Sequence, residues 1–203
     1  MIIAGAGGHA KEIFTELQWL QWKGEISFFD DVNPTKEQLL GMPLLTTEAA
    51  LKSAMQKDNL FIVGTGKPLA REILYNKMLA QGGQVYSIIS RYAVVGTTEV
   101  YYGEGVNIMS GAVITTHVTM GKCVLVNTHA SIHHDSVIGD FCELSPGCRI
   151  LGNVQIGHCT SVGTNAVILP GITVGSHVKV GAGAVVTKNV PDGVVVKGMP
   201  GSW

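Results

Sequence analysis

Ile132-His133-His134-Asp135 joins an imidazole directly to a carboxylate. Histidine is the side chain whose ordinary titration lies near neutrality, so it can take a proton from an attacking amine and release it again. A neighbouring carboxylate orients the ring and stabilises its cation. His134 is therefore the candidate base and Asp135 its support, a pair suited to moving an acyl group from a thioester to an amine. Of the seven histidines, six lie at or beyond His117. His133 reads as either a second contact to substrate or an outer-face residue, with the face the better reading. His129 reads as structural.

A second constellation opens the chain. The apolar Met1-Ile2-Ile3-Ala4 runs into Gly5-Ala6-Gly7-Gly8-His9, then into helical spacing through Lys11-Glu12-Ile13-Phe14 and Leu17 to Trp22. Strand, glycine turn and helix in that order present backbone N–H groups to an anion. A strand over Ile26 to Phe29 ends in Asp30-Asp31, about twenty residues beyond the glycines, where a nucleotide-binding fold puts a carboxylate. Another strand, Leu60 to Val63, ends in Gly64-Thr65-Gly66 and leads to a helix from about Leu69 to Ala80. Val85 to Ile89 reads as a fourth strand, running on toward Ala93. These pieces predict a small Rossmann-like parallel sheet whose crevice lies at the carboxyl ends of its strands.

His134 itself belongs to a different architecture. From Tyr102 to Val186 an apolar residue recurs at every sixth position without insertion, as in Ile108, Ile114, Met120, Val126, Ile132 and Ile138. Two residues before each stands a small or β-branched one, such as Ala112, Val118, Ala130, Ser136, Cys142 and Cys148. Gly103, Gly121, Gly139, Gly157 and Gly175 add a period of eighteen. A six-residue period predicts a parallel β-helix, and eighteen residues per coil means three strands per coil. The glycines would mark tight corners. In this frame Gly152 lies one coil above His134 and Thr116 one below, leaving room beside the imidazole. Asp135 has His117 below and Asn153 above, an arrangement that predicts cross-coil hydrogen bonds.

The composition narrows the class. A formal charge of −1 with 14% charged residues argues against a nucleic-acid partner. No apolar run reaches membrane-spanning length and the opening residues lack a secretory leader's features, which points to the cytoplasm. Cys123 and Cys159 lie two coils apart, about 9.6 Å at a strand spacing of ~4.8 Å, out of disulfide reach. All four cysteines read as packing or surface thiols, in keeping with a reducing compartment.

The G-A-G-G-H-A opening, the F-F-D-D second strand and the hexapeptide coil, in that order along nearly the whole chain, resemble one family. It comprises the hexapeptide-repeat sugar N-acetyltransferases of the bacillosamine and perosamine type, akin to sialic acid O-acetyltransferases. The resemblance implies a left-handed coil, so the expected fold is an α/β N-terminal domain at 1–90 followed by a left-handed parallel β-helix at 91–203. It implies a nucleotide-linked amino sugar held by the first domain, acetyl-CoA as co-substrate on the coils, no metal, and a homotrimer with active sites between subunits. Carried over by position, Gly7, Gly8 and His9 would contact the nucleotide sugar, Asp30 and Asp31 the nucleoside, and Val63 and Gly64 the base. Glu143, Thr164 and Ala182 would line the coenzyme path, with Lys188 a candidate for a coenzyme phosphate. Glu143 is a departure, since a family member has histidine there. So is the ending Gly198-Met199-Pro200-Gly201-Ser202-Trp203, where relatives finish G-x-P-A-K.

Three other readings compete. Sugar O-acetyltransferases of the sialic acid type carry the same histidine–carboxylate pair. Zinc-type carbonic anhydrases share the coil and the spacing of His129 to His134, but two coils earlier stand Tyr92 and Ala93, which are not ligands. A non-catalytic sugar-binding scaffold would have no need of His134-Asp135.

Overall fold

The computed structural model describes residues 1–32 and 38–198. The chain forms two compact units, the first Met1–Ile88 and the second beginning at Ile89.

The first unit is a six-stranded sheet with three helices. In chain order the elements are β1 (Ile2–Ala4), α1 (Gly8–Trp19), β2 (Ser27–Phe29), β3 (Gln38–Leu39), β4 (Met42–Leu45), α2 (Glu48–Lys57), β5 (Leu60–Val63), α3 (Pro68–Ala80) and β6 (Gln84–Val85). The sheet order is β3-β4-β2-β1-β5-β6, parallel except for the β3–β4 pair. Every residue of β1 is buried, as a strand covered on both faces must be. α1 buries a stripe at His9, Ala10, Ile13, Glu16 and Leu17, and that spacing directs one helix face to the sheet. It stops at Trp19, short of the expected Trp22, when Leu20 departs from the helix as its C-cap. Thr47 caps α2 by accepting the Ala50 N–H at 3.2 Å, and Pro68 begins α3 where its missing donor costs nothing.

The expected strand over Val85 to Ile89 is two strands. Gln84–Val85 pairs with Leu60–Phe61, while Ile88–Ile89 is separate and joins the coil sheet. β3, β4 and α2 differ from expectation: between Phe29 and Leu60 the sequence carries no hexad, and its one glycine, Gly41, marks only the turn between β3 and β4.

The second unit is a left-handed parallel β-helix with three faces. The first face has seven strands, including Leu125–Val126 and Glu143–Leu144; the second has six, including Val113–Ile114 and Ser131–Ile132; the third has five, including Val118–Met120 and Val137–Ile138. Each strand pairs with the one eighteen residues on, as Ser131↔Arg149 and Ile132↔Ile150. The hexad residues from Ile108 to Val186 fill the interior. Tyr102 does not: it lies on the edge strand of its face and is 43% exposed. All three corners turn through a left-handed residue repeated every eighteen positions, as in Glu99, His117, Asp135, Asn153 and Gly171, with φ from 50° to 74°. A Cβ at Gly103, Gly121, Gly139, Gly157 or Gly175 would fall 2.5–2.8 Å from a backbone nitrogen of the next coil, so this series is fixed by close approach. Cys123, Cys142, Cys148 and Cys159 are all free and buried, which removes the surface-thiol option. Burial pushes the Cys142 and Cys148 thiols up to about 12.

Candidate active site

His134 and Asp135 sit where the chain leaves the second face and turns toward the third. Asp135 makes that turn with φ 61°, a conformation that aspartate tolerates better than most side chains. The turn sets its carboxylate beside the preceding imidazole, Oδ2 2.7 Å from Nδ1. A carboxylate only accepts, so Nδ1 carries the proton and the neutral ring keeps its lone pair on Nε2. The pair is open, with side chains 61% and 56% exposed, so other groups must wall the reaction.

The room expected beside the imidazole is taken by the ring itself. A Cβ at Gly152 would lie 2.5 Å from both Cε1 and Nε2 of His134. The same coil grips the backbone, Asn153 N–H donating to the His134 carbonyl at 2.8 Å. The side-chain hydrogen bonds expected between Asp135 and its cross-coil neighbours are replaced by the bond to His134. His117 turns away: its Nδ1 lies 2.8 Å from Thr116 Oγ1 and its Nε2 3.7 Å from Glu99. Thr116 Oγ1 donates to the Thr98 carbonyl at 2.9 Å, leaving its lone pairs for His117. His129 packs at another corner, where a Cβ on Gly111 would lie 2.5 Å from its Nδ1. It and His134 thus stand at opposite ends of the strand Ser131–Ile132. His133 is half-buried on the second face.

The candidate coenzyme residues lie elsewhere on the coil. Glu143 is on the first face, its Oε1 accepting the Ser145 hydroxyl at 2.7 Å. Thr164 and Ala182 are stacked at the corner between first and second faces, both exposed. Their backbones are tightly paired there: Gly183 N–H donates to the Thr164 carbonyl at 2.9 Å. Thr128 is the equivalent residue in the coil of His134, six residues before it, so one face, up to about 20 Å of chain, and a further two and three coils at ~4.8 Å each separate Thr164 and Ala182 from His134. Lys188 is exposed beyond the strand Val185–Val186. The altered ending from Met199 onward lies outside the described residues.

In the first unit, β1 stands between β2 and β5, so the chain order reverses around it. In such sheets the crevice forms at the carboxyl ends of the strands beside that reversal. Gly5 to His9 follow β1, Asp30 and Asp31 follow β2, and Gly64 follows β5, so the sequence motifs converge there. Two kinds of glycine are present. Gly5 (φ 122°) and Gly64 pack back to back, a Cβ on Gly5 lying 2.8 Å from the Gly64 carbonyl oxygen and one on Gly64 2.8 Å from Ile3 Cγ2. Gly7 and Gly8 meet nothing within 4 Å, and their backbone is open to an approaching group.

His9 is buried, its Nδ1 3.2 Å from Glu12 Oε2. Burial holds its pKa below 6.5, with the nearby Arg71 charge acting in the same direction against the Glu12 hydrogen bond. Arg71 is itself buried and donates from Nη1 to the Thr65 carbonyl at 2.6 Å. The two aspartates differ. Asp30 Oδ1 accepts the Val32 N–H at 2.9 Å, whereas Asp31 is ion-paired to Lys77. Lys77 also reaches Glu48 at 3.2 Å and lies over the Phe29 ring. Its pKa is raised, first by the bond to Asp31. Sequence reasoning missed Glu12, Arg71 and Lys77: Glu12 meets His9 three residues away on α1, a helical spacing that could have shown it, whereas only the tertiary fold brings Arg71 and Lys77 of α3 to their partners.

Comparison with known proteins agrees with both units. Residues 1–78 match the PglD N-terminal domain, and residues 153–188 match bacterial transferase hexapeptide repeats. PerB from Caulobacter crescentus, solved with CoA and GDP-perosamine, is 31% identical, with 96% of this chain and 91% of that one covered and a TM-score of 0.86. The acetyltransferase domain of PglB from Neisseria gonorrhoeae, solved with acetyl coenzyme A, is 33% identical over 97% and 95% of the chains (TM-score 0.88). WeeI from Acinetobacter baumannii AYE is 30% identical over 97% and 95% (TM-score 0.89). This chain belongs to the hexapeptide-repeat sugar N-acetyltransferases, enzymes that take their acetyl group from acetyl-CoA.

Proposed function

We propose that the protein acetylates the amine of a nucleotide-linked amino-deoxy sugar, with His134 as general base. The observation that carries this reading is the 2.7 Å bond that His134 Nδ1–H donates to the Asp135 carboxylate, which leaves Nε2 to take a proton. The amine nitrogen attacks the thioester carbonyl while its proton passes to Nε2. The tetrahedral oxyanion then collapses, supported by backbone N–H groups; the C–S bond breaks, and the thiolate takes the proton back from the imidazolium.

The nucleotide sugar would lie against the first unit, at Gly7, Gly8 and His9, with Asp30 and Asp31 toward the nucleoside and Val63 and Gly64 toward the base. Support comes from the open glycines and from the GDP-perosamine bound by PerB. Acetyl-CoA would run past Glu143, Thr164 and Ala182, with Lys188 for a phosphate. The separation of those residues from His134 favours a homotrimer in which one subunit's corner meets another's coenzyme path. A cytoplasmic place in making surface polysaccharide or glycoprotein precursors follows from such a substrate; four free cysteines suit that compartment, and no helix of the described residues is long and apolar enough to cross a membrane.

Thiol release from acetyl-CoA, measured with nucleotide-linked amino sugars, their hydroxy analogues and free sialic acid, tests the reading. Turnover with an amine and none with its hydroxy analogue is expected. Turnover confined to hydroxyl acceptors would make the enzyme an O-acetyltransferase.

A further inference from the structure

The inward position directly after each left-handed residue of the corner between second and third faces is occupied by Val100, Val118, Ser136, Val154 and Ile172. Only the coil bearing His134 places a hydroxyl there. Ser136 is fully buried inside the prism, where an unbonded hydroxyl would cost about 1–3 kcal/mol. It is bonded: Oγ donates to the Leu151 carbonyl at 3.0 Å and accepts the Val154 N–H at 3.3 Å. It also lies 3.4 Å from the His134 carbonyl oxygen.

These bonds bracket one short segment. Between Leu151 and Val154 stand Gly152, against which the His134 ring rests, and Asn153, whose N–H holds the His134 carbonyl at 2.8 Å. We propose that Ser136 is a positioning residue for acetyl transfer, its buried hydroxyl tying the corner that carries His134 to the segment that supports the imidazole. The proposal rests on the reading of His134 as the base. Valine fills the same space at neighbouring coils but supplies neither donor nor acceptor, so it would leave both ends of the segment without this tie.

The rival role is coil stability alone, and the molecule contains its own control. At another corner, remote in sequence from His134-Asp135, Thr160 makes the same pair of bonds, donating to the Gly175 carbonyl at 2.7 Å and accepting the Val178 N–H at 3.0 Å. Ser136→Ala, Ser136→Thr and Thr160→Ala are compared by thiol release in the full-length enzyme. Ser136→Ala is expected to lower kcat about tenfold, as a small misplacement of a reacting group does, with both KM values within about twofold. Ser136→Thr restores most of that loss, and Thr160→Ala leaves kcat within about twofold. Equal kcat losses in Ser136→Ala and Thr160→Ala, or an unchanged kcat in Ser136→Ala, would overturn the proposal.

A second readout needs no turnover. Long-range proton–nitrogen spectra, with His134 assigned through His134→Gln, report the ring tautomer in the free enzyme. The wild type is expected to show a single Nδ1–H form, and Ser136→Ala a mixture or a broadened signal. An identical His134 signal in both proteins counts against positioning. Full activity in His134→Ala would instead remove the base reading, a result separate from the tautomer comparison. Should Ser136→Ala fail to fold, Ser136→Val takes its place, because Val118 and Val154 already fill the same inward position in the neighbouring coils without a donor or an acceptor.

Discussion

The imidazole of His134 lies on the α-carbon of Gly152, one coil above it, with no space for a methyl group between them. Gly152→Ala should therefore turn the ring without disturbing the coil, since the added carbon points at a side chain exposed to solvent. A loss of about 100-fold in kcat is expected for a shift near 1 Å, with the far-ultraviolet circular dichroism of the wild type. Retention of full kcat would show that the observed ring position is not the reacting one.

Removing the base and weakening its support should differ in size. His134→Ala should cost 10²- to 10⁴-fold in kcat, the usual worth of a general base. Asp135→Asn, which loses the charge but keeps the turn, should cost about 10- to 100-fold, the scale known for groups that orient metal-bound histidines and below the loss in a buried triad, because this pair is open to solvent. Calorimetric titration with the nucleotide sugar should give nearly unchanged affinity in both. A larger loss for Asp135→Asn than for His134→Ala would reverse the assigned roles.

The two kinds of glycine after β1 and β5 predict opposite phenotypes. Gly64→Ala forces a methyl group onto Ile3 and Ala10 and should destabilise the first unit by about 1–3 kcal/mol. Gly7→Ala meets nothing and keeps an ordinary φ of −81°, so thermal unfolding should be unchanged. Its effect should appear as a raised KM for the nucleotide sugar alone. An unaffected KM would leave Gly7 without a role in binding.

His9 makes the stability depend on pH with a definite sign. Its pKa is lowered in the folded protein, so below about 6.5 the unfolded chain binds more protons and the protein loses stability as the pH falls. Above that value the effect vanishes. Denaturant midpoints between pH 7.5 and 5 should decline more steeply for the wild type than for His9→Gln. Parallel curves would mean that His9 titrates alike in both states.

The four thiols should be silent in the native protein. With all four buried and the Cys142 and Cys148 thiols pushed up to about 12, a neutral thiol reagent should label none of them before unfolding and all of them after. Labelling of native Cys142 would indicate that the prism opens at its third-to-first corner.

The coil was readable from Ile108 to Val186 because each inward residue meets only its neighbours one coil away, so packing repeats on a fixed count. The His134-Asp135 pair was readable for the same local reason. What the imidazole rests on was not: the absence of a side chain at residue 152 looked like space for a substrate, whereas the ring fills it. Ser136 passed as one more small inward residue, since its bonding depends on carbonyls and amides that carry no sequence signature. Lys77 was invisible as the partner of Asp31, 46 residues away, because α3 meets the end of β2 only in the folded sheet. β3 is two residues long at the sheet edge, and β4 beside it reads Met42-Pro43-Leu44-Leu45 without alternation, so Gly41 at the turn between them is their only local signal.

The uninterrupted coils carry a consequence for how such an enzyme can change. Every outward side chain on the prism has an address given by its face and its level, and a single inserted residue would rotate all later addresses around the axis. An insertion within a strand is therefore excluded, and a loop could be added only at a corner, from which the chain must return in register to keep Gly152 above His134. Along the strands themselves, new acceptor preferences must arise by exchanging side chains at fixed addresses.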